Sequence, residues 1–371
     1  MAETGVQMRS GIYGRGSMGL VDRFTGFDYG YRMLCECEAL VTLSAQQYWE
    51  QSHGSLWCEG CQDDVNFGPY TVQLRDPDDP LLSDEAVARH AWYHTSKYRD
   101  WPAAEEFLEE RAKLFAEHPM RGSVDLEEIA ELGSSKALHV GTYETAIENM
   151  LRRMRDQTEV GVPFYLHRVG LELGPGDLNE GYLDENNDGV SQVAVSKLRD
   201  QGLRALRYLN VRESMGSLSL ALDPAAIASV QTIALPVHAL APVADPSHLR
   251  LMHEFDQVEN ENRAKSASGL EAGFRALFGD DYEQLRQART SRAAARYRPS
   301  PDSTSLLETS FLDGVGQPVC EDFSDALSHW HSAEDADTAS FYEQFRALSA
   351  VLTREEEVVA VLKAQPLRRL V

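Results

Sequence analysis

An α+β fold is predicted for this chain on three observations. Between residues 88 and 245, strand-like and helix-like segments mix without the regular βαβ alternation of a parallel sheet. Ahead of that stretch, four cysteines gather in two close pairs, Cys35/Cys37 and Cys58/Cys61. Behind it the signals are helical almost throughout. At 371 residues the chain exceeds one ordinary domain. These shifts divide it into a zinc-ribbon-like N-terminal region (1–80), a central α+β domain (81–245) and a mostly helical C-terminal region (246–371). No Gly-x-Gly-x-x-Gly follows a strand, which excludes a Rossmann arrangement.

Hydrophobic residues make up 43% of the chain and charged residues 25%, enough to build a real core. The formal charge of −24 repels nucleic-acid phosphates and anionic lipid heads, so nucleic acid is a disfavoured partner. A basic target protein would instead be attracted. The densest basic stretch, Arg286, Arg289, Arg292, Arg296 and Arg298, reads as a solvated helix face. No run of about 18 apolar residues exists, so no membrane span is expected. Met1 to Leu20 lacks the apolar segment of a secretory signal, and a cytoplasmic location is expected.

Along the chain, Arg75-Asp-Pro-Asp-Asp-Pro80 forms a stiff charged linker. Ser83 is a cap for a helix over 86–90. The bulky run 91–96 reads as a strand. Trp101-Pro102 opens a helix with Phe107, Leu114 and Phe115 on one side. Residues 137–140 form a strand, and Gly141-Thr142 turns it into a helix with Ala146, Met150 and Met154 at helical spacing. Residues 164–173 alternate as a strand that Gly174-Pro-Gly-Asp177 ends. A helix over 193–201 stops at Gly202. Strands follow at 205–210, 216–222 and 229–235. Helices are expected at 249–259, 270–277, 282–296, 341–352 and 355–362.

The cysteine pairs are separated by twenty residues. Structural Zn²⁺ takes four ligands in a tetrahedron, often thiolates, and two knuckles on neighbouring hairpins supply that set. Cys35, Cys37, Cys58 and Cys61 are therefore the expected ligands, with His53 a possible substitute. A closed thiolate site is structural and adds folding energy to a segment too small for a large core. Cys320 stands alone and reads as structural or incidental. Asp184-Glu-Asn-Asn-Asp-Gly189 opens like a calcium loop but lacks the bidentate Glu at the twelfth position, so it reads as a polar turn. His329, His331, Glu334 and Asp335 read as helix-surface polarity.

Three patches stand out in the central domain: Trp92-Tyr-His-Thr-Ser96, Leu138-His-Val-Gly-Thr142, and Tyr208-Leu-Asn-Val-Arg-Glu-Ser-Met-Gly-Ser-Leu-Ser-Leu-Ala-Leu-Asp-Pro-Ala-Ala-Ile227. In this order and spacing they resemble the ADP-ribosyltransferase superfamily, especially modules of phage polyvalent and bacterial effector proteins. The resemblance covers about 150 residues and implies a split two-sheet module with NAD⁺ held between the sheets. Breaking the nicotinamide–ribose bond builds positive charge on the ribose, as in glycoside hydrolysis.

Carried onto this sequence, the resemblance gives His94 a ribose hydroxyl to hold, with Thr95 and Ser96 along the same wall. His139, Gly141, Thr142 and Tyr143 would form the second wall, Tyr143 being a candidate for stacking on nicotinamide. The family's acid is expected inside the last strand. Here that strand offers Ser217, Leu218 and Ser219, and the nearest acid is Glu213 upstream. Two functions stay open: an NAD-dependent ADP-ribosyltransferase acting on a protein or other macromolecular target, and a catalytically silent module that binds without turnover.

Overall fold

In the computed structural model, the described residues are 19–51, 54–103, 105, 109, 113, 136–156, 161–186, 189–240, 246–278, 299–330 and 338–370. Strands β1 (Tyr31–Leu34) and β2 (Leu40–Leu43) form an antiparallel hairpin. Helix α1 (Ala45–Glu50) follows. Ser44 Oγ accepts from the Gln47 backbone N–H, and the Gln47 side chain reaches back to the Ser44 N–H, a reciprocal cap. A second hairpin pairs β3 (Leu56–Cys58) with β4 (Asp63–Val65). Past the charged linker, α2 (Asp84–Arg89) begins at Ser83, with Asp84 and Glu85 in the first turn where the helix dipole favours acids.

Two four-stranded sheets make the centre. The first has the order β12–β11–β7–β5, with β5 (Trp92–Ser96), β7 (Phe164–Leu171), β11 (Ile227–Leu235) and β12 (Arg368–Arg369) all antiparallel. The second has the order β6–β10–β9–β8, with β6 (Leu138–Val140), β8 (Leu183–Asp184), β9 (Ala205–Leu209) and β10 (Leu218–Leu222). In this sheet β8 runs parallel to β9 and the other pairs are antiparallel. Helix α4 (Val195–Asp200) precedes β9. The sheets meet at a backbone bridge: Tyr93 N–H donates to the Gly141 carbonyl (2.8 Å), and Gly141 N–H donates back to Tyr93 (3.0 Å). Gly141 has no room for more. A Cβ there would sit 2.6 Å from a Thr145 methyl and 2.8 Å from Ser219 Oγ.

Helix α3 (Tyr143–Asp156) buries Ala146, Ile147, Met150, Leu151 and Met154. It lies against β5 on one side and α7 (Gln317–Trp330) on the other. Strand β7 alternates in sequence, yet seven of its eight residues are buried. It sits between β11 and β5, so its polar residues need internal partners. Arg168 finds one in Asp22, Nε to Oδ1 at 2.6 Å and Nη2 to Oδ2 at 3.0 Å.

The C-terminal region is helical: α5 (Pro246–Phe278), α6 (Pro301–Phe311), α7, α8 (Thr338–Thr353) and α9 (Glu355–Lys363), with α5, α7 and α8 joined through Phe255, Phe323, Phe341 and Phe345. Residues 249–259 and 270–277 belong to one continuous helix rather than two. One core of buried residues runs from Phe27 to Leu362. Tyr143 OH donates to the Val351 carbonyl (2.9 Å), and Lys363 Nζ reaches Asp22 Oδ2 (3.1 Å), so the C-terminal helices close directly on the two-sheet centre. The expected helix face of Phe107, Leu114 and Phe115, the 282–296 helix, the Arg286–Arg298 face, His53, His331, Glu334 and Asp335 lie outside the described residues.

Candidate functional site and metal centre

The edge where the sheets part opens into a cavity of about 240 Å³. Strand β5 brings Tyr93, His94 and Thr95 to its wall, β6 brings His139, and the chain then contributes Gly141. The second sheet adds Tyr208, Asn210, Glu213 and Ser219, and α3 adds Thr145, Asn149 and Arg152. Three sequence patches some 45 to 120 residues apart therefore line one space.

His94 is held by two contacts. Its Nδ1 lies 2.8 Å from the His139 carbonyl, and its ring stacks on Trp101 with centroids 4.3 Å apart and planes 18° apart. A carbonyl only accepts, so Nδ1 carries the proton. Burial, reinforced by the Arg153 charge, pushes the His94 pKa down to about 3. His94 is therefore neutral near pH 7, and its Nε2 is an acceptor for a hydroxyl or N–H donor. His139 Nδ1 contacts Tyr208 OH at 3.1 Å; burial lowers its pKa and the Glu213 charge opposes that shift.

Glu213 is 6% exposed. Its Oε1 accepts from Arg152 Nε (2.5 Å) and Asn149 Nδ2 (3.1 Å), both on α3. The loop that carries it is pinned from outside. Ser214 N–H donates to Glu148 Oε2 (2.5 Å), and Tyr29 OH donates to the other oxygen of that carboxylate (2.8 Å). Arg75 stacks on Tyr29, its guanidinium carbon 3.7 Å from the ring centroid, while its Nη2 donates to Ser214 Oγ (3.1 Å) and the Met215 carbonyl (2.8 Å). Ser214 has φ +45° and Gly216 φ +84°, so the loop makes a tight reversal between β9 and β10.

Asn210 ties that loop to the wall. Its Nδ2 donates to Ser219 Oγ (2.6 Å) and Ser217 Oγ (3.0 Å), and Ser217 Oγ contacts Thr145 Oγ1 (3.1 Å). Ser217 and Thr142 face a smaller neighbouring recess. Ser96 is buried on β5, where its Oγ accepts from Tyr98 N–H (3.0 Å). Tyr143 is fully buried and lies away from the cavity, edge-on to Phe24 and Tyr93.

Several cavity residues escaped the sequence reading. Thr145, Asn149 and Arg152 stand at i, i+4 and i+7, a polar stripe beside the buried face of Ala146, Met150 and Met154, and that spacing was a usable signal. Glu185 was hidden in a stretch that read as a polar turn. It follows β8, lines the cavity, and accepts from Val211 N–H at 3.1 Å. Its pKa is raised by burial, against the Val211 hydrogen bond, with the Glu213 charge adding to the rise.

The four cysteine sulfurs lie within 4.8 Å of one another and can hold a metal ion such as zinc. Cys35–Cys61 and Cys37–Cys58 are each 3.8 Å apart. Sulfurs at about 2.3 Å from a tetrahedral Zn²⁺ are about 3.8 Å from one another, so the donor set fits that ion. The two knuckles share one backbone device. Glu38 N–H donates to Cys35 (2.9 Å) and Gln62 N–H to Cys58 (2.8 Å), and both residues have positive φ, +68° and +58°. Gly60 is obligatory, since a Cβ there would lie 2.9 Å from Cys37 Sγ.

Comparison with protein-family models, curated proteins and solved structures finds no match. Among the described residues, no helix is long and apolar enough to cross a membrane.

Proposed function

We propose that this protein is an NAD-dependent ADP-ribosyltransferase, moving ADP-ribose from NAD⁺ to a protein or other macromolecular target, as phage and bacterial effectors of that type do. One observation carries the reading: His94, Thr95, His139, Gly141, Ser219 and Glu213, drawn from three separated patches, line the same cavity between two small sheets. Its volume of about 240 Å³ lies below the usual range for whole-ligand pockets, which suits the nicotinamide–ribose half of the dinucleotide. The neutral His94 offers an acceptor to a ribose hydroxyl, and Glu213 supplies negative charge where the oxocarbenium-like state develops. The four cysteines hold structural Zn²⁺ in this reading.

The clamp of Arg152 and Asn149 on Glu213 favours a second reading, a silent module that binds NAD⁺ without cleaving it. Incubation of the full chain with NAD⁺ and chromatography of free nicotinamide separates them. Release that His94→Ala abolishes supports the transferase. Binding without release supports the silent module, and neither binding nor release defeats both.

A further inference from the structure

We infer that Glu185 is the general base of this cavity, taking a proton from a hydroxyl or water acceptor as that acceptor attacks the ribose. The inference rests on the transferase reading above. Strands β8 and β9 run parallel, with Leu183 beside Tyr208 and Asp184 beside Leu209. Their C-terminal ends therefore deliver two carboxylates, Glu185 and Glu213, to the same space. A short parallel pair at the edge of an otherwise antiparallel sheet is what places them together.

The two carboxylates are not equivalent. Glu213 is engaged by Arg152 and Asn149 from α3 and is suited to holding charge in place. Glu185 accepts from the Val211 backbone through Oε2 and lines the cavity. Burial pushes the Glu185 carboxyl up and the Glu213 charge adds to the rise, with the Val211 hydrogen bond, Arg212 and Arg152 opposing. Paired acids held by different partners divide labour in this way, one steadying charge and one moving a proton.

In the step itself, the bond between ribose C1′ and the nicotinamide nitrogen breaks. Its electron pair stays on the ring nitrogen, which leaves as neutral nicotinamide. The acceptor oxygen forms the new bond to C1′, and its proton passes to the Glu185 carboxylate and then to solvent. A carboxylate acceptor has no proton to give and would meet two negative charges. The site therefore suits a protic acceptor.

The test uses the full chain, NAD⁺, and water as the acceptor, with nicotinamide release as the readout. Glu185→Gln should lower kcat by about 10²–10³-fold while KM stays within about threefold. The acid limb of the wild-type pH profile should disappear in that variant. Glu185→Ala should regain turnover when formate is added, because formate replaces the missing carboxylate. Turnover of Glu185→Gln within about threefold of wild type, or no response of Glu185→Ala to formate, overturns the assignment and leaves the transferase reading standing. If wild type releases no nicotinamide, the transferase reading falls and this inference falls with it.

Discussion

Gly216→Ala should destabilise the protein by about 3–5 kcal/mol and loosen the loop that bears Glu213. Gly216 has φ +84°, where an L-residue costs about 1–2 kcal/mol. The larger cost is contact. An added Cβ would lie 2.8 Å from the Gln73 carbonyl oxygen and 3.1 Å from the Arg75 backbone nitrogen. Backbone atoms cannot rotate away, so the two segments must part. Parting them breaks the Arg75 N–H bond to the Gly216 carbonyl (2.8 Å) and strains the guanidinium bonds to Ser214 and Met215. A neutral hydrogen bond contributes about 1 kcal/mol and a charged one about 1.5–3 kcal/mol. Gly202→Ala is the control: its φ is +71°, but nothing lies within 4 Å of an added Cβ, so only the backbone strain of about 1–2 kcal/mol applies. Urea denaturation followed by circular dichroism measures both. Losses equal to within about 0.5 kcal/mol would refute the claim that the 73–75 segment grips the Glu213 loop.

Purified protein should carry one zinc per chain by mass spectrometry of the metal, and Cys58→Ser should reduce that content; full occupancy in the variant would remove Cys58 from the ligand set. Long-range proton–nitrogen spectra should show His94 neutral, protonated on Nδ1, down to about pH 4, because its pKa lies at about 3. The same groups set a pH dependence. His94 and His90, the latter held at about 4 by burial, bind protons less readily when folded than when unfolded. Their contribution to stability is complete above about pH 6.5 and lost as pH falls toward 4 and then 3, so chemical denaturation at pH 4.5 should need less urea than at pH 7. Asn210→Ala removes the donor that Ser217 and Ser219 share and should cost about 1–3 kcal/mol, read in the same denaturation experiment.

Much of the central fold was legible because its elements carry local signals. Trp92–Ser96, Leu138–Val140 and Ala205–Leu209 are short bulky runs bounded by small or polar residues, and each forms a strand. The four-cysteine cluster was legible from spacing alone. Bounds near turns were harder. The expected strand from Gly216 begins at Leu218, since Gly216 and Ser217 are spent on the reversal that presents Glu213. Glu185 could not be read from sequence because its importance comes from β8, a two-residue strand whose pairing with β9 is set by tertiary context. Tyr143 shows the opposite limit. Its position after Gly141-Thr142 suggested the cavity wall, but the first turn of α3 points it at the C-terminal helices, where its hydroxyl meets Val351. No sequence pattern near residue 143 announces a partner 208 positions away.

Calorimetric titration of NAD⁺ into the full chain tests most directly whether the three patches build a nucleotide site. Wild type should bind with a stoichiometry of one, and Tyr143→Phe, altered outside the cavity, should bind equally well. His94→Ala should weaken binding by about tenfold or more, the loss of one buried hydrogen bond. Undiminished binding by His94→Ala, or no heat of binding in wild type, would contradict the account.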